Sequence, residues 1–234
     1  MYVVKDLSGV GEREDRSMGR ATAATEREPL HRDRIVATAV VLADEEGISA
    51  LNMRNLARRL GYEVMSLYNH IANKDELLSL MVDAVAAEID EPPPDATPLA
   101  AVRATAVSTH DVLVRHPWAA DLWQRHLPGP ARNRLMDDLL RLLDQSGISP
   151  DLAHHGFHAV NNHVLGYTLQ QLGMAMTEDD AEAKAKDYLD GIDTGEFPHM
   201  VAHVRQHLEG DTASSFELVL DLILDGLVRL DRSR

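Results

Sequence analysis

The chain has 234 residues, 44% of them apolar, with only 3 Phe, 5 Tyr and 2 Trp, enough for one large domain or two modest ones and better suited to helix than to strand. The absence of cysteine excludes disulfides, thiolate metal sites and cysteine nucleophiles, and with no apolar run of signal-peptide or bilayer-spanning length the expectation is a cytoplasmic protein without membrane contact. A net charge of −15 argues against nucleic acid as a partner, but residues 1–75 carry 11 Lys and Arg against 12 Asp and Glu, whereas residues 76–234 carry 12 against 26; a near-neutral first third is joined to an acidic remainder that would face away from DNA.

Residues 1–28 mix Gly, Ser, Thr, Arg and Glu without apolar periodicity and read as an arm, either grazing a DNA groove or simply solvated. Pro29 suits the first turn of a helix in which Ile35, Ala39, Leu42 and Ala43 recur at helical spacing until Gly47. Asn52 can cap a short second helix, MRNLARRL, which Gly61 ends, and a third spans about Val64 to Ile71. Asn73 caps a fourth, with Leu78, Met81, Val82, Val85 and Ile89 along one stripe as far as Asp90. EPPPDATP, from Glu91 to Pro98, breaks the helical pattern. Further helices are predicted at about 98–115, 117–126, 131–146, 150–175, 178–191, 198–208 and 213–231. The expected fold is all-α.

Two short helices joined by a tight glycine-containing turn, with longer helices on either side, is an arrangement that lets one helix enter the DNA major groove. In LNMRNLARRLGYEVMSLYNHIANKDEL, Leu56, Leu60, Val64 and Leu67 can close a mini-core while Ala57 permits close helix approach. Arg54, Arg58, Arg59, Ser66, Tyr68, Asn69, His70 and Lys74 remain outside, rich in donors for phosphates and base edges. Arg58 and Arg59 could equally be solvated helix-surface charges.

The run LARRLG, SLYNHI and NKDEL resembles the tetracycline-repressor (TetR) family of one-component regulators, and RHPWAADLW and FELVLDLILDGLVRL resemble the C-terminal domain of its tetracycline-repressor subgroup more weakly. The resemblance implies an arm (1–28), a helix-turn-helix DNA-binding domain (29–75) and a helical effector-binding and dimerisation domain (76–234). It implies a repressor that leaves an inverted-repeat operator in double-stranded DNA when an unidentified small-molecule effector binds. By that resemblance Arg54 is a base contact, Tyr68 and Lys74 are phosphate contacts, and Val64, Met65, Ser66, Asn69 and His70 form the exposed recognition surface. Val64 and Met65 replace more polar or turn-forming residues of the tetracycline repressor, so its operator does not transfer.

Phe216, Leu220, Ile223, Leu227 and Leu230 form one stripe of the last helix, with Leu218, Leu222 and Leu224 elsewhere on it. With the segment Gly156–Met176, whose Gly156, Gly166 and Gly173 permit close approach, this helix is expected to pair with its symmetry mate in a four-helix homodimer interface; an internal monomer core is the other reading. His110, His116, Trp118, Trp123, His126, Asn162, His163, Tyr167 and Gln170 are polar or aromatic residues within apolar helices, the mixture of a ligand pocket. Asn162 and Gln170 align with a histidine and a glutamate of the tetracycline repressor's magnesium–drug site, which argues against tetracycline itself.

The groups His199, His203, His207 and His154, His155, His158 invite a metal reading, but three imidazoles along a straight helix span about 12 Å, too far for one ion. No metal or other cofactor is expected. Without HExxH, GxSxG, a phosphate loop or cysteine, an enzyme is not expected either. The acidic charge leaves a helical interaction module that kept the head without sequence-specific DNA binding as the alternative to a regulator.

Overall fold

The computed structural model describes residues 29–173, 178–193, 195–209 and 215–233; the arm lies outside them. Eleven α-helices and no strands occur among the described residues: α1 (Arg32–Glu46), α2 (Met53–Leu60), α3 (Val64–Tyr68), α4 (Lys74–Ala86), α5 (Pro98–Arg115), α6 (Pro117–Leu122), α7 (Pro130–Gln145), α8 (Pro150–Gly173), α9 (Glu178–Gly191), α10 (Pro198–Glu209) and α11 (Ser215–Arg232). Among them no helix is long and apolar enough to cross a membrane.

Local chemistry explains most of the boundaries. Asn52, Asn73 and Thr97 each accept a hydrogen bond from the backbone N–H three residues on, satisfying donors that a helix start leaves open. Gly61 ends α2 in the left-handed region at φ 74°. Pro29, by contrast, precedes α1 rather than entering its first turn: His31 is the cap, its Nδ1 accepting from the Arg34 N–H at 3.3 Å.

Three helices stop earlier than their patterns suggest. α4 ends at Ala86 rather than Asp90, its chain tightening into turns in which the Glu88 and Ile89 N–H groups donate to carbonyls three residues back. α3 ends at Tyr68, and a single turn carries Ile71 into the core, where it is fully buried, before Asn73 starts α4. α6 ends at Leu122 rather than at residue 126. The Trp123 and His126 carbonyls instead accept from the buried Arg132 guanidinium at 2.5 and 3.0 Å, and that guanidinium also lies 4.8 Å over the Trp123 ring.

One continuous apolar core runs from Ile35 in α1 to Leu227 in α11, with α4 shared between the head (α1–α3) and the body. Asp83 of α4 reaches across to the start of α7 and accepts from the Ala131 and Arg132 N–H groups at 3.1 and 2.9 Å, a carboxylate at the positive end of a helix. Gly129 makes this approach feasible, since a Cβ there would sit 2.4 Å from the Asp83 carboxyl carbon. In the body, α8 packs on α5 and α11. Gly156 admits Leu227, whose methyl carbon would lie 2.8 Å from a Cβ at that position. This glycine permits the close helix approach expected of it, between α8 and α11 of one chain. Arg103 ties α5 to Glu217 and Asp221 of α11, a partly exposed pair worth less than about 1 kcal/mol.

Candidate nucleic-acid interface and effector cluster

The reading head is a two-sided object. Leu56, Ala57, Leu67, Ile71 and Leu77 are buried under α2 and α3, and Val64 packs half-buried against them. The opposite faces are left to solvent: Arg54, Met65, Tyr68, Asn69 and Lys74 are exposed, and Ser66 and His70 are half-exposed. Among the described residues, no hydrogen bond or ion pair engages the side chains of Arg54, Tyr68 or Lys74. The other two arginines of α2 differ. Arg58 contacts Asn55 Oδ1 at 3.2 Å, and Arg59 pairs with Glu45 and Glu46 at the end of α1.

A buttress that periodicity does not reveal holds the turn after α3. Arg32 of α1 donates to the His70 carbonyl at 3.3 Å and to Glu76 Oε1 at 2.5 Å, and Glu76 Oε2 accepts from the Ala72 N–H. The spacing of Asn73 and Glu76 was the available signal, since a carboxylate three residues after a cap commonly reaches back to the preceding backbone.

The nine candidate effector residues fall into four places. His110, His163 and Tyr167 come together around Phe216: His110 stacks on its ring at 4.2 Å, His163 at 4.7 Å, and Tyr167 meets it edge-on at 5.4 Å. Trp123 and His126 wrap Arg132, with His126 Nδ1 also 3.2 Å from Ser79 Oγ of α4. His116 and Trp118 sit at the junction of head and body, both bonded to Asp44. Asn162 and Gln170 lie on the exposed side of α8. Phe216, the centre of the aromatic cluster, carries no signal of this in the sequence because it reads as one more position of an apolar stripe.

Hydrogen bonding fixes the tautomers in the cluster. The Thr168 hydroxyl donates to the Val164 carbonyl at 2.6 Å, so His110 Nδ1 must donate to Thr168 Oγ1 at 2.8 Å, which leaves Nε2 with a lone pair. Burial holds the His110 imidazolium below its ordinary range, with His163 adding to the effect and Asp111 opposing it. His163 Nε2 donates to the Phe216 carbonyl at 2.8 Å. The cluster thus combines flat apolar ring faces with an imidazole acceptor and a phenol.

The body also presents an apolar outer face. Phe216, Leu220, Leu224 and Leu227 are the buried side of α11, whereas Leu218, Leu222 and Leu230 are more than half exposed. This corrects the sequence grouping, which put Leu230 in one stripe with Phe216 and set Leu224 apart from it. Leu218, Leu222, Gly226 and Leu230 recur every four residues, and Leu169 and Gly166 are exposed on α8; nothing lies within 4 Å of a Cβ built at Gly166 or Gly226. The His154 and His158 rings meet edge-on at 4.7 Å on the exposed side of α8, and the His207 side chain lies outside the described residues. Among the described residues no group of three or more His, Asp or Glu is placed to share a metal ion.

Comparison with known proteins agrees with this architecture. Residues 35–81 match the model of bacterial regulatory proteins of the tetR family, and residues 91–230 match the tetracyclin repressor-like C-terminal domain. The HTH-type transcriptional repressor DrrR1 of Streptomyces coeruleorubidus is 32% identical over 220 residues, covering 89% of this chain and 81% of that protein. Tetracycline repressor protein class C of Escherichia coli is 26% identical over 86% of this chain and 92% of its own length. The crystal structure of Streptomyces coelicolor ActR in complex with actinorhodin superposes with a TM-score of 0.76 at 31% identity, covering 87% of this chain and 99% of that one. With a helix-turn-helix head and a helical body both matched, the chain belongs to the TetR family of DNA-binding transcriptional regulators.

Proposed function

We propose that this regulator is a homodimeric repressor whose head (29–75) reads an inverted-repeat operator in double-stranded DNA and whose body (76–234) releases it on binding a small-molecule effector. Arg54 serves as a base contact, Tyr68 and Lys74 hold phosphates, and Val64, Met65, Ser66, Asn69 and His70 present the recognition surface. The observation that carries this reading is the contrast within α2–α4: Arg59 is bound to acidic neighbours, while Arg54, Tyr68 and Lys74 are exposed and uncommitted. Two heads joined through the apolar outer faces of α8 and α11 would meet half-sites about 34 Å apart, which is why the operator is an inverted repeat.

The effector is an aromatic molecule bearing hydroxyl groups, taken up around His110, His163, Tyr167 and Phe216. Flat ring faces favour stacking, and the His110 Nε2 lone pair accepts from a hydroxyl donor. The ActR complex with actinorhodin shows that a relative binds a small molecule. Asn162 and Gln170, exposed on α8, belong in this reading to the dimer face rather than to the effector site. The protein works in the cytoplasm and catalyses no reaction.

Selection of bound duplexes from random DNA at low salt tests the proposal. The expected result is a symmetric consensus protected over two half-sites. A single unrepeated half-site would contradict the dimeric reading, and no enrichment would favour a helical interaction module.

A further inference from the structure

Three carboxylates, Asp44, Glu45 and Glu46, crowd the last turn of α1, where the helix dipole is already negative and no basic residue of α1 offsets them. Donors from other elements reach this cluster. Arg59 of α2 supplies one, for Glu45 and Glu46. From the body, His116, at the corner between α5 and α6, places Nδ1 2.8 Å from Asp44 Oδ1. Its Nε2 meets Glu88 Oε2, just beyond the end of α4, at 3.0 Å. Each ring nitrogen thus faces a carboxylate oxygen of a different helix. Trp118 Nε1 donates to Asp44 at 2.6 Å, and Arg115 to Glu88 at 3.0 Å. The His116 side chain is only 10% exposed.

His116 therefore sits between the negative ends of two helices. α1 is the base of the head; α4 begins at Lys74, on the reading face, and ends at the clamp. Apolar packing along these helices is non-directional and tolerates pivoting, whereas two short polar contacts to opposite sides of one rigid ring fix an angle. We infer that His116, clamped between Asp44 and Glu88, is the positioning residue that locks the orientation of the reading head on the body. The inference deepens the operator-binding reading and rests on it for its DNA consequence, but the lock itself belongs to one protomer.

Hydrogen exchange of the full chain, read on peptides from α1, α4, α8 and α11, tests the lock in His116→Gln and Asp44→Asn. Asp44→Asn keeps an acceptor for Trp118 while removing the charge. Each variant is expected to exchange ~10-fold faster at the ends of α1 and α4, with α8 and α11 unchanged, since local opening reports local stability. The double variant should be no faster than His116→Gln alone, because that substitution already removes the Asp44 contact that Asp44→Asn weakens. Affinity for a duplex selected with the wild type should fall ~10-fold in the same variants, the scale of one lost charge-assisted contact. Unchanged exchange at the ends of α1 and α4, or acceleration spread equally over α8 and α11, overturns the lock. Failure of the wild type to select any duplex would overturn the operator reading alone, and the exchange result would still decide the lock.

Discussion

Head and body solve opposite problems with the same helical material. The head keeps a small core sealed by Leu56, Leu67, Ile71 and Leu77 and leaves its donors outward. The body turns its polar groups inward and pairs them: Arg132 with two carbonyls and a tryptophan face, His110 with Thr168, Asp83 with the start of α7. A head built this way tolerates surface substitution without unfolding but loses its binding at once. A body built this way loses stability when a single buried partner is removed.

The largest expected effect follows from the body's outer face. Leu222→Glu places a charge in the middle of the Leu218, Leu222, Gly226, Leu230 stripe and should convert the proposed dimer to monomer, with operator affinity falling by orders of magnitude because a lone head has one half-site. Sedimentation of the variant reads this, and a dimer of unchanged affinity would assign the face to another role.

Next is Gly129→Ala. The backbone there is extended and open to any residue, so the cost comes from the methyl group meeting the Asp83 carboxyl. Overpacking of this kind costs about 1–3 kcal/mol, read as a lower Tm. Gly147→Ala would strain a left-handed turn at φ 81° with open space around it, separating backbone strain from steric conflict.

The smallest effect is one of pH. His110 in the folded chain resists protonation while the unfolded chain takes up its proton near pH 6.5. The unfolded state therefore binds more protons below that value, and stability falls as the pH drops from 7.5 to 5.5. Denaturant titrations of wild type and His110→Gln at both values should show a smaller loss in the variant. Equal losses would place the acid sensitivity elsewhere.

The same contrast explains what the sequence discloses. The head is legible because its signals are local: Asn52, Gly61 and Asn73 act on backbone within three or four residues, and a helix-turn-helix is one short run of chain. The helix list of the body is legible for similar reasons. Its interior is not, because Phe216 meets His110 and His163 across more than fifty residues, and the Arg132 guanidinium takes the Trp123 carbonyl, which a longer α6 would have used. The nine residues singled out as a pocket lining share a composition, and composition does not reveal that His116 and Trp118 belong to the joint with α1 while His110 and Tyr167 belong to the aromatic cluster. Apolar spacing likewise identified α11 as a helix covered on two sides without telling Leu224 from Leu230.

The central claim, that a few uncommitted side chains of an acidic protein carry its DNA binding, is tested most directly by the salt dependence of affinity for a selected duplex in wild type, Lys74→Ala and Tyr68→Ala. Lys74→Ala should weaken binding and reduce the slope of log K against log salt by about 2 per dimer, one phosphate contact from each head. Tyr68→Ala, which removes no charge, should weaken binding with the slope unchanged. Wild-type affinity and slope retained in both variants would show that the reading face lies elsewhere on the molecule.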